Sequence, residues 1–381
     1  MAGKKRLLVV NDLLRGGGVE KLMRDFVWCW HEKYEITVMT YDSCTGFSEL
    51  FPKDVVYLRA FLPERKWDSL WGRCYWKVRR KLYKEGFKKR FAGMSFDMVI
   101  SMKDGWVMQE VSRMGIPVKF AWIHTDYRSY YYTQAFFGGP EAERECMKQF
   151  CRVVCVSEEV RQGIVEVLGD PGNLVVKYNP IRVKNILEKA KEPVVDVEVQ
   201  KKPGKVRFVT VGRLNYQKGY DLLLEACHML ERDGLRFEVW VIGGEEPWGD
   251  EHGRLYRAQK RLHVQSVRFL GARKNPYKYM KHADWFLSSS LFEGYSLVSQ
   301  EAAVLDVPLL LTDCSGVREL IGEDEYGIRM EISVQGIYQG MKRVIEHPEL
   351  QPYYKRKVME RKGMIQFWSR MGEIEEMLER V

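Results

Sequence analysis

A chain of 381 residues, 45% apolar and 30% charged, has the length for two α/β domains with separate cores and the composition of a globular protein in water. No apolar run approaches the ~18–20 residues of a membrane span, and Leu7-Leu8-Val9-Val10 is too short for a signal-peptide core, so a cytoplasmic protein is expected. The net charge of +9 is local, with 13 Lys/Arg against 5 Asp/Glu in residues 51–100, which argues against a general polyanion binder.

Residues 6–11 read as a buried strand that runs into Asp12-Leu13-Leu14-Arg15-Gly16-Gly17-Gly18. A helix follows over 19–32, with Leu22, Phe26 and Trp30 on one stripe. Glycines at such a junction let backbone amides approach a phosphate or a sugar with no Cβ in the way. The run is neither Gly-x-Gly-x-x-Gly nor a Walker Gly-Lys-Ser/Thr, so the dinucleotide and P-loop fingerprints are missing. Strands over 34–41 and 55–59 complete a β-α-β start, which predicts a parallel sheet with crossover helices.

Residues 65–90 break that rhythm. Eleven Lys/Arg are interleaved with Trp67, Trp71, Tyr75, Trp76, Tyr83 and Phe87, against two acids. Two readings stand open: a basic aromatic helix on an anionic membrane surface, or a solvated crossover helix of the sheet. Nucleic acid is not expected, because the patch is confined and no DNA- or RNA-binding module accompanies it.

The alternation then resumes with a strand over 97–103, a helix over 106–114 and a strand over 117–125 that ends in Trp122-Ile123-His124-Thr125-Asp126. His124 stands just past a strand's C-terminal end, where open α/β sheets bind ligands, although a lone histidine is also a common structural residue. A strand over 152–157, a helix over 158–168 and a strand over 173–179 close the first domain at Pro180. Residues 181–205, lysine-rich and carrying Pro193 and Pro203, read as a linker. The eight cysteines include no Cys-x-x-Cys pair and read as free thiols of a reducing compartment.

A second α/β unit starts with a strand over 206–212. Arg213 and Lys218 bracket the loop before an amphipathic helix over 220–232. Two cations at a strand's C-terminal end can hold a diphosphate, the guanidinium bidentately and the ammonium as a point charge. Strands over 236–243, 267–270 and 285–289 alternate with helices over 253–263 and 276–282. The last strand runs into Ser288-Ser289-Ser290-Leu291-Phe292-Glu293-Gly294-Tyr295-Ser296-Leu297, with a helix over 297–305 that carries Glu301. A strand, a glycine turn and a helix start suit an anion, and Glu293 and Glu301 sit at two depths beside it. A further strand follows over 307–312.

These motifs together resemble the retaining glycosyltransferases of family four, whose fold is GT-B. Gly16-Gly17-Gly18-Val19-Glu20 is similar to the family's Gly-Gly-x-Glu loop, and Val154-Cys155-Val156-Ser157 to its Val-x-x-Ser step. Gly212-Arg213-Leu214 with Lys218-Gly219 resembles its Gly-Arg-Leu…Lys-Gly signature, and Glu293 with Glu301 its Glu-x7-Glu. Tyr178-Asn179-Pro180-Ile181 matches its strand into the hinge, where Arg182 stands in place of a frequent Asp.

The resemblance implies an α/β fold of two Rossmann-like domains facing across a cleft. An acceptor-binding domain would span 1–180, a linker 181–205 and a nucleotide-sugar domain 206–362, with a C-terminal helix in 363–381 packing back on the first domain. It implies transfer from a nucleotide-sugar, UDP-sugar ahead of GDP-sugar, to a glycan or lipid-linked acceptor; the membrane reading of residues 65–90, not the resemblance, adds a peripheral location at the inner face of the cytoplasmic membrane. A soluble acceptor and a non-catalytic nucleotide binder remain the alternatives. Arg213 and Lys218 would stabilise the leaving diphosphate, and Glu301 would hold the ribose. Glu293 and the amides from Gly294 through Tyr295, Ser296 and Leu297 would meet the donor sugar. His124 would approach its reacting face, and Gly17 and Gly18 would line the donor site. No Asp-x-Asp occurs in the chain, so neither a metal nor another cofactor is expected.

Overall fold

In a computed structural model, residues 3–12, 14, 17–41, 51–60, 89, 91–197, 204–245, 250–362 and 367–380 are described. The chain divides into two compact units. The first comprises Met1–Val156, Val160–Lys177 and Glu379–Val381, and the second Ser157–Glu159 and Tyr178–Leu378.

The first unit is built on a seven-stranded, all-parallel sheet of order β3-β2-β1-β4-β5-β6-β7. Its strands are β1 (Arg6–Asn11), β2 (Glu35–Thr40), β3 (Val56–Arg59), β4 (Met98–Ser101), β5 (Val118–Ile123), β6 (Arg152–Cys155) and β7 (Leu174–Val176). Leu7 to Val10 and Met98 to Ile100 are at most 1% exposed, the burial on both faces that gives parallel strands continuous apolar runs. Helices α1 (Gly18–Trp30), α2 (Trp106–Ser112), α3 (Pro140–Met147) and α4 (Glu158–Leu168) supply crossovers. On α1 the expected stripe is buried, Leu22, Phe26 and Trp30 among it, and Phe26 stacks on Trp30 at 4.6 Å. The chain order reverses between β1 and β4, which makes that boundary the natural mouth of the sheet.

Helix α5 (Val183–Lys189) lies inside the stretch that reads as linker. Only Ile186 of it is buried, so it leaves no apolar stripe in the sequence.

The second unit holds a six-stranded parallel sheet of order β10-β9-β8-β11-β12-β13. Its strands are β8 (Val206–Val211), β9 (Phe237–Ile242), β10 (Val267–Gly271), β11 (Trp285–Ser288), β12 (Leu309–Thr312) and β13 (Ile328–Met330). Helix α6 (Tyr220–Arg232) lays Tyr220, Leu223, Leu224, Cys227 and Leu230 on the core, the 3-4 spacing of one helical face. Leu223→Ala would cost about 2–5 kcal/mol there, because the hole cannot collapse fully. The remaining helices are α7 (Glu251–Arg261), α8 (Tyr277–Met280), α9 (Leu297–Val304), α10 (Val317–Ile321), α11 (Val334–Glu346), α12 (Leu350–Lys362) and α13 (Phe367–Glu379). Residues 321–362 are expected only as part of the nucleotide-sugar domain, with no elements of their own, and there α11 packs Ile337, Met341 and Val344 beside α6. No helix among the described residues is long and apolar enough to cross a membrane. The basic aromatic segment 65–90 lies, apart from Lys89, outside the described residues.

Candidate active site

In the second sheet the order reverses between β8 and β11, and the two segments leaving those strands are stitched together. Ser289 Oγ donates to Lys218 O at 2.8 Å, Leu291 N donates to Gln217 O at 2.8 Å, and Gln217 Nε2 donates to Phe292 O at 3.0 Å. Gly219 closes the loop after β8 in the left-handed region at φ 60°, and a Cβ there would stand 2.1 Å from Ser289 O. Only glycine meets both demands.

That stitching brings Lys218 Nζ to 2.6 Å from Glu293 Oε1, the two side chains 18% and 12% exposed. Ser290 Oγ donates to the same carboxylate oxygen at 2.8 Å. The Ser290 carbonyl in turn accepts from Thr312 Oγ1 at 2.6 Å and from Cys314 Sγ at 3.0 Å, so β12 fixes the peptide that orients Glu293. Burial, with Glu293 as a secondary cause, pushes the Cys314 thiol up to about 12 and keeps it a neutral donor. The stem of Lys218 runs over Gly212, where a Cβ would come within 2.8 Å of Lys218 Cε. Arg213, on the same loop, has an exposed side chain.

After Gly294 the chain enters α9 with Ser296 as N-cap, its hydroxyl accepting from Ser299 N at 3.3 Å. The amides of the first turn lack partners within a helix and carry its positive end. Gly316, at φ 78°, lets the segment after β12 pass close by, since a Cβ there would stand 2.4 Å from Gly294 O. The ring of Tyr295 is buried against Tyr178 at 5.1 Å and under the Arg370 guanidinium at 5.8 Å. Only its backbone is therefore suited to a ligand. Glu301 is 4% exposed and accepts from Tyr277 OH at 3.2 Å.

Of the candidate residues, the second unit thus brings Lys218, Glu293, Gly294, Tyr295, Ser296, Leu297 and Glu301 onto two adjoining segments, with Arg213 on the loop of Lys218. Gly17, Gly18 and His124 belong to the first unit. Gly17 is the extended N-cap of α1 and Gly18 its first residue, while Gly16 lies outside the described residues. His124 Nε2 donates to the Met102 carbonyl at 3.0 Å, which fixes the Nε2–H tautomer because a carbonyl only accepts. Burial lowers its imidazole to about 4, the Met102 hydrogen bond opposing, so it is neutral at pH 7. Across the β1–β4 boundary Lys103 Nζ pairs with Asp12.

Sequence reasoning missed Ser290 and Tyr277. Ser290 is one of three consecutive serines, and nothing local marks it as the partner of Glu293. Tyr277 is 24 positions from Glu301. Among the described residues no group of three or more His, Cys, Asp and Glu is placed to hold a metal.

The architecture has close counterparts. The structure of sucrose-phosphate synthase from Thermosynechococcus elongatus superposes with a TM-score of 0.75 at 14% identity, covering 99% of this chain and all of the other. That of Anabaena HepE in complex with UDP and glucose gives 0.73 at 14% identity, with coverage of 99% and 100%. Likeness at such low identity defines the fold, which is GT-B. Residues 194–361 match the family Glycosyl transferases group 1, so the second unit carries a domain of that family. An N-acetylgalactosamine-N,N'-diacetylbacillosaminyl-diphospho-undecaprenol 4-alpha-N-acetylgalactosaminyltransferase of Campylobacter jejuni is 36% identical over 194 residues, 50% of this chain and 49% of that protein. The amylovoran biosynthesis glycosyltransferase AmsK of Erwinia amylovora is 28% identical over 37% of this chain and 35% of its own. The chain thus spans about half the length, or less, of these relatives.

Proposed function

We propose that the protein is a retaining glycosyltransferase that moves a sugar from a nucleotide-sugar, UDP-sugar ahead of GDP-sugar, to a lipid-linked or polysaccharide acceptor at the cytoplasmic membrane face. The observation that carries this reading is the Lys218–Glu293 pair at the strand-order reversal, beside the N-terminus of α9. Relatives named for a diphospho-undecaprenol substrate and for amylovoran biosynthesis support the acceptor class, and the UDP bound to HepE supports the donor.

Breaking the donor's anomeric bond sends its electron pair to the diphosphate and leaves positive charge on the sugar ring. The acceptor oxygen forms the new bond at the anomeric carbon, and its proton ends on the departing diphosphate or in the water beyond it. In this reading Arg213 and Lys218 stabilise the departing diphosphate, and Glu293 with the amides of Ser296 and Leu297 orients the donor sugar. Glu301 holds the ribose hydroxyls. The unit that holds His124 and the Gly17-Gly18 turn takes the acceptor. The two side-chain cations supply the charge that a metal would otherwise bring, so no metal or other cofactor is required.

The test is transfer from a panel of UDP-, GDP- and ADP-sugars to short polyprenyl diphosphate-linked saccharides, with the new linkage read by NMR. Product that keeps the donor's anomeric configuration is expected. An inverted linkage, or no turnover of any donor in the panel, would overturn the reading.

A further inference from the structure

The first unit carries an aromatic surface that donor chemistry does not use. Between β5 and α3 the chain places Tyr127, Tyr130, Tyr131, Tyr132, Phe136 and Phe137 within a single loop. Tyr130 and Phe136 are 46% and 39% exposed, an unusual outlay of aromatic surface on one short segment. The ring of Tyr132 lies between them, stacked on Tyr130 at 5.7 Å and edge-on to Phe136 at 6.5 Å.

This surface is held rigid from below. Tyr127 OH and Thr133 Oγ1 each donate to the fully buried Glu143, at 3.0 Å and 3.0 Å. Gln109 Nε2 donates to Phe136 O at 2.9 Å, and Gly105, at φ 69°, leaves the space that the Phe136 ring fills. Tyr132 OH donates to Asp104 Oδ1.

Asp104 supplies a second, independent observation. It follows β4, at the mouth of the sheet where the Met102 carbonyl also takes the His124 hydrogen bond. Its side chain is 2% exposed, yet Oδ2 has no hydrogen-bond partner among the described residues. Buried carboxyl oxygens are rarely left so, and the other oxygen of this group is held by Tyr132 of the aromatic cluster.

The chemistry of the surroundings selects the occupant. Asp104, Glu143 and Asp12 are close at hand, and Lys103 is already paired with Asp12, so a phosphate or an anionic headgroup finds little to hold it. A neutral polyol finds both things it needs, aromatic faces for its C–H surface and a carboxylate oxygen for a hydroxyl.

We propose that Tyr130, Tyr132, Phe136 and Asp104 form a subsite for a sugar ring of the acceptor. The enzyme would then recognise the acceptor's saccharide as well as whatever carries it. The proposal rests on the glycosyltransferase reading above.

It is tested without donor turnover, by saturation-transfer NMR and titration of the full chain with methyl glycosides of glucose, galactose, N-acetylglucosamine and N-acetylgalactosamine. A parallel arm uses phosphatidylglycerol vesicles. At least one glycoside should receive saturation at its ring protons, and Tyr130→Ala or Phe136→Ala should weaken its binding at least tenfold. Asp104→Asn, which keeps the shape, should weaken it as well. UDP binding, followed by thermal shift, should be unchanged in the exposed-ring variants, which also shows that they fold. Glycoside binding that is absent, or equal in native and variant proteins, overturns the subsite even where UDP binds. Loss of vesicle binding alone in Tyr130→Ala would assign the surface to lipid and overturn it too. Failure of UDP to bind would strike the donor reading instead, and a glycoside lost with Tyr130 would still uphold the subsite.

Discussion

Lys218 Nζ and Glu293 Oε1 stand 2.6 Å apart, joining the loop after β8 to the turn after β11 where the strand order reverses. Both side chains are mostly buried: Ser290 Oγ holds the carboxylate, and the lysine stem lies over Gly212. In the proposed reading an incoming diphosphate would meet an ammonium already placed, and its approach would shift the balance of charge around Glu293. That coupling separates this pair from two independent site residues.

Removing one partner of a partly buried pair strands the other. Lys218→Met should destabilise the ligand-free protein by about 1–3 kcal/mol, and Lys218→Met/Glu293→Gln should recover at least half of that loss. Denaturant unfolding of the four proteins checks this, and additive effects within ~0.5 kcal/mol would sink the coupling. For transfer, Lys218→Ala or Arg213→Ala should each slow the reaction by ~10²-fold or more, the scale for one lost charge-stabilising contact.

His124 should not act as a titrating base near neutrality. With its imidazole lowered to about 4, its ring-proton NMR shifts should stay flat from pH 8 down to about pH 5. The folded value lies below the unfolded one, so the unfolded chain takes up a proton first. Stability contributed at this site is therefore lost as pH falls from about 6.5 towards 4. The His124→Asn variant should lack that share of the slope, and a native titration midpoint near 6.5 would contradict the assignment.

Glu143 pulls the other way over nearly the same range. Burial raises its carboxyl to about 7, with hydrogen bonds from Thr133 and Tyr127 opposing. The folded protein keeps a proton that the unfolded chain releases from about pH 4.5, so stability falls as pH rises from about 4.5 to 7 and then levels. Glu143→Gln should remove this dependence and stabilise the protein above pH 7 by up to ~3 kcal/mol. Unfolding curves at pH 5 and pH 8 decide it; equal differences between variant and native protein at both would refute it.

Much of this architecture was legible because parallel strands buried on both faces leave long apolar runs. β8, β9 and β11 read directly, and the helix carrying Glu301 was placed within a residue of α9. Helix α5 was not legible, since one buried residue makes no stripe, and α12, which buries Tyr354 and Val358, shows little more. The α11 stripe of Ile337, Met341 and Val344 has the 3-4 spacing of one helical face and is a usable signal in the sequence. The site was half legible: Lys218 and Glu293 could be named, but their pairing could not. It depends on Ser289, Gln217 and Gly219 drawing together segments that are 75 positions apart.

Two side-chain cations should make divalent metal dispensable. Transfer measured after dialysis against EDTA should retain most of its rate, and added Mg²⁺ or Mn²⁺ should change it less than twofold. Strict dependence on either ion would mean that Arg213 and Lys218 do not neutralise the diphosphate alone.

The proposed attachment to the membrane rests on the sequence of residues 65–90, with eleven Lys/Arg, two acids and three tryptophans. Each cation near an anionic surface contributes ~1 kcal/mol, screened over a Debye length. If four or five reach the lipid they supply roughly 4–5 kcal/mol, about millimolar to sub-millimolar binding before any Trp67 or Trp71 inserts. The protein should therefore sediment with anionic vesicles, not with zwitterionic ones, and high salt should release it. Replacing Arg79, Arg80, Lys81 and Lys84 with Glu should abolish sedimentation and leave nucleotide affinity intact, because Lys218 and Glu293 lie in the other unit. If the native protein stays in the supernatant with anionic vesicles at low salt, the segment is no membrane anchor and a soluble acceptor becomes the better reading.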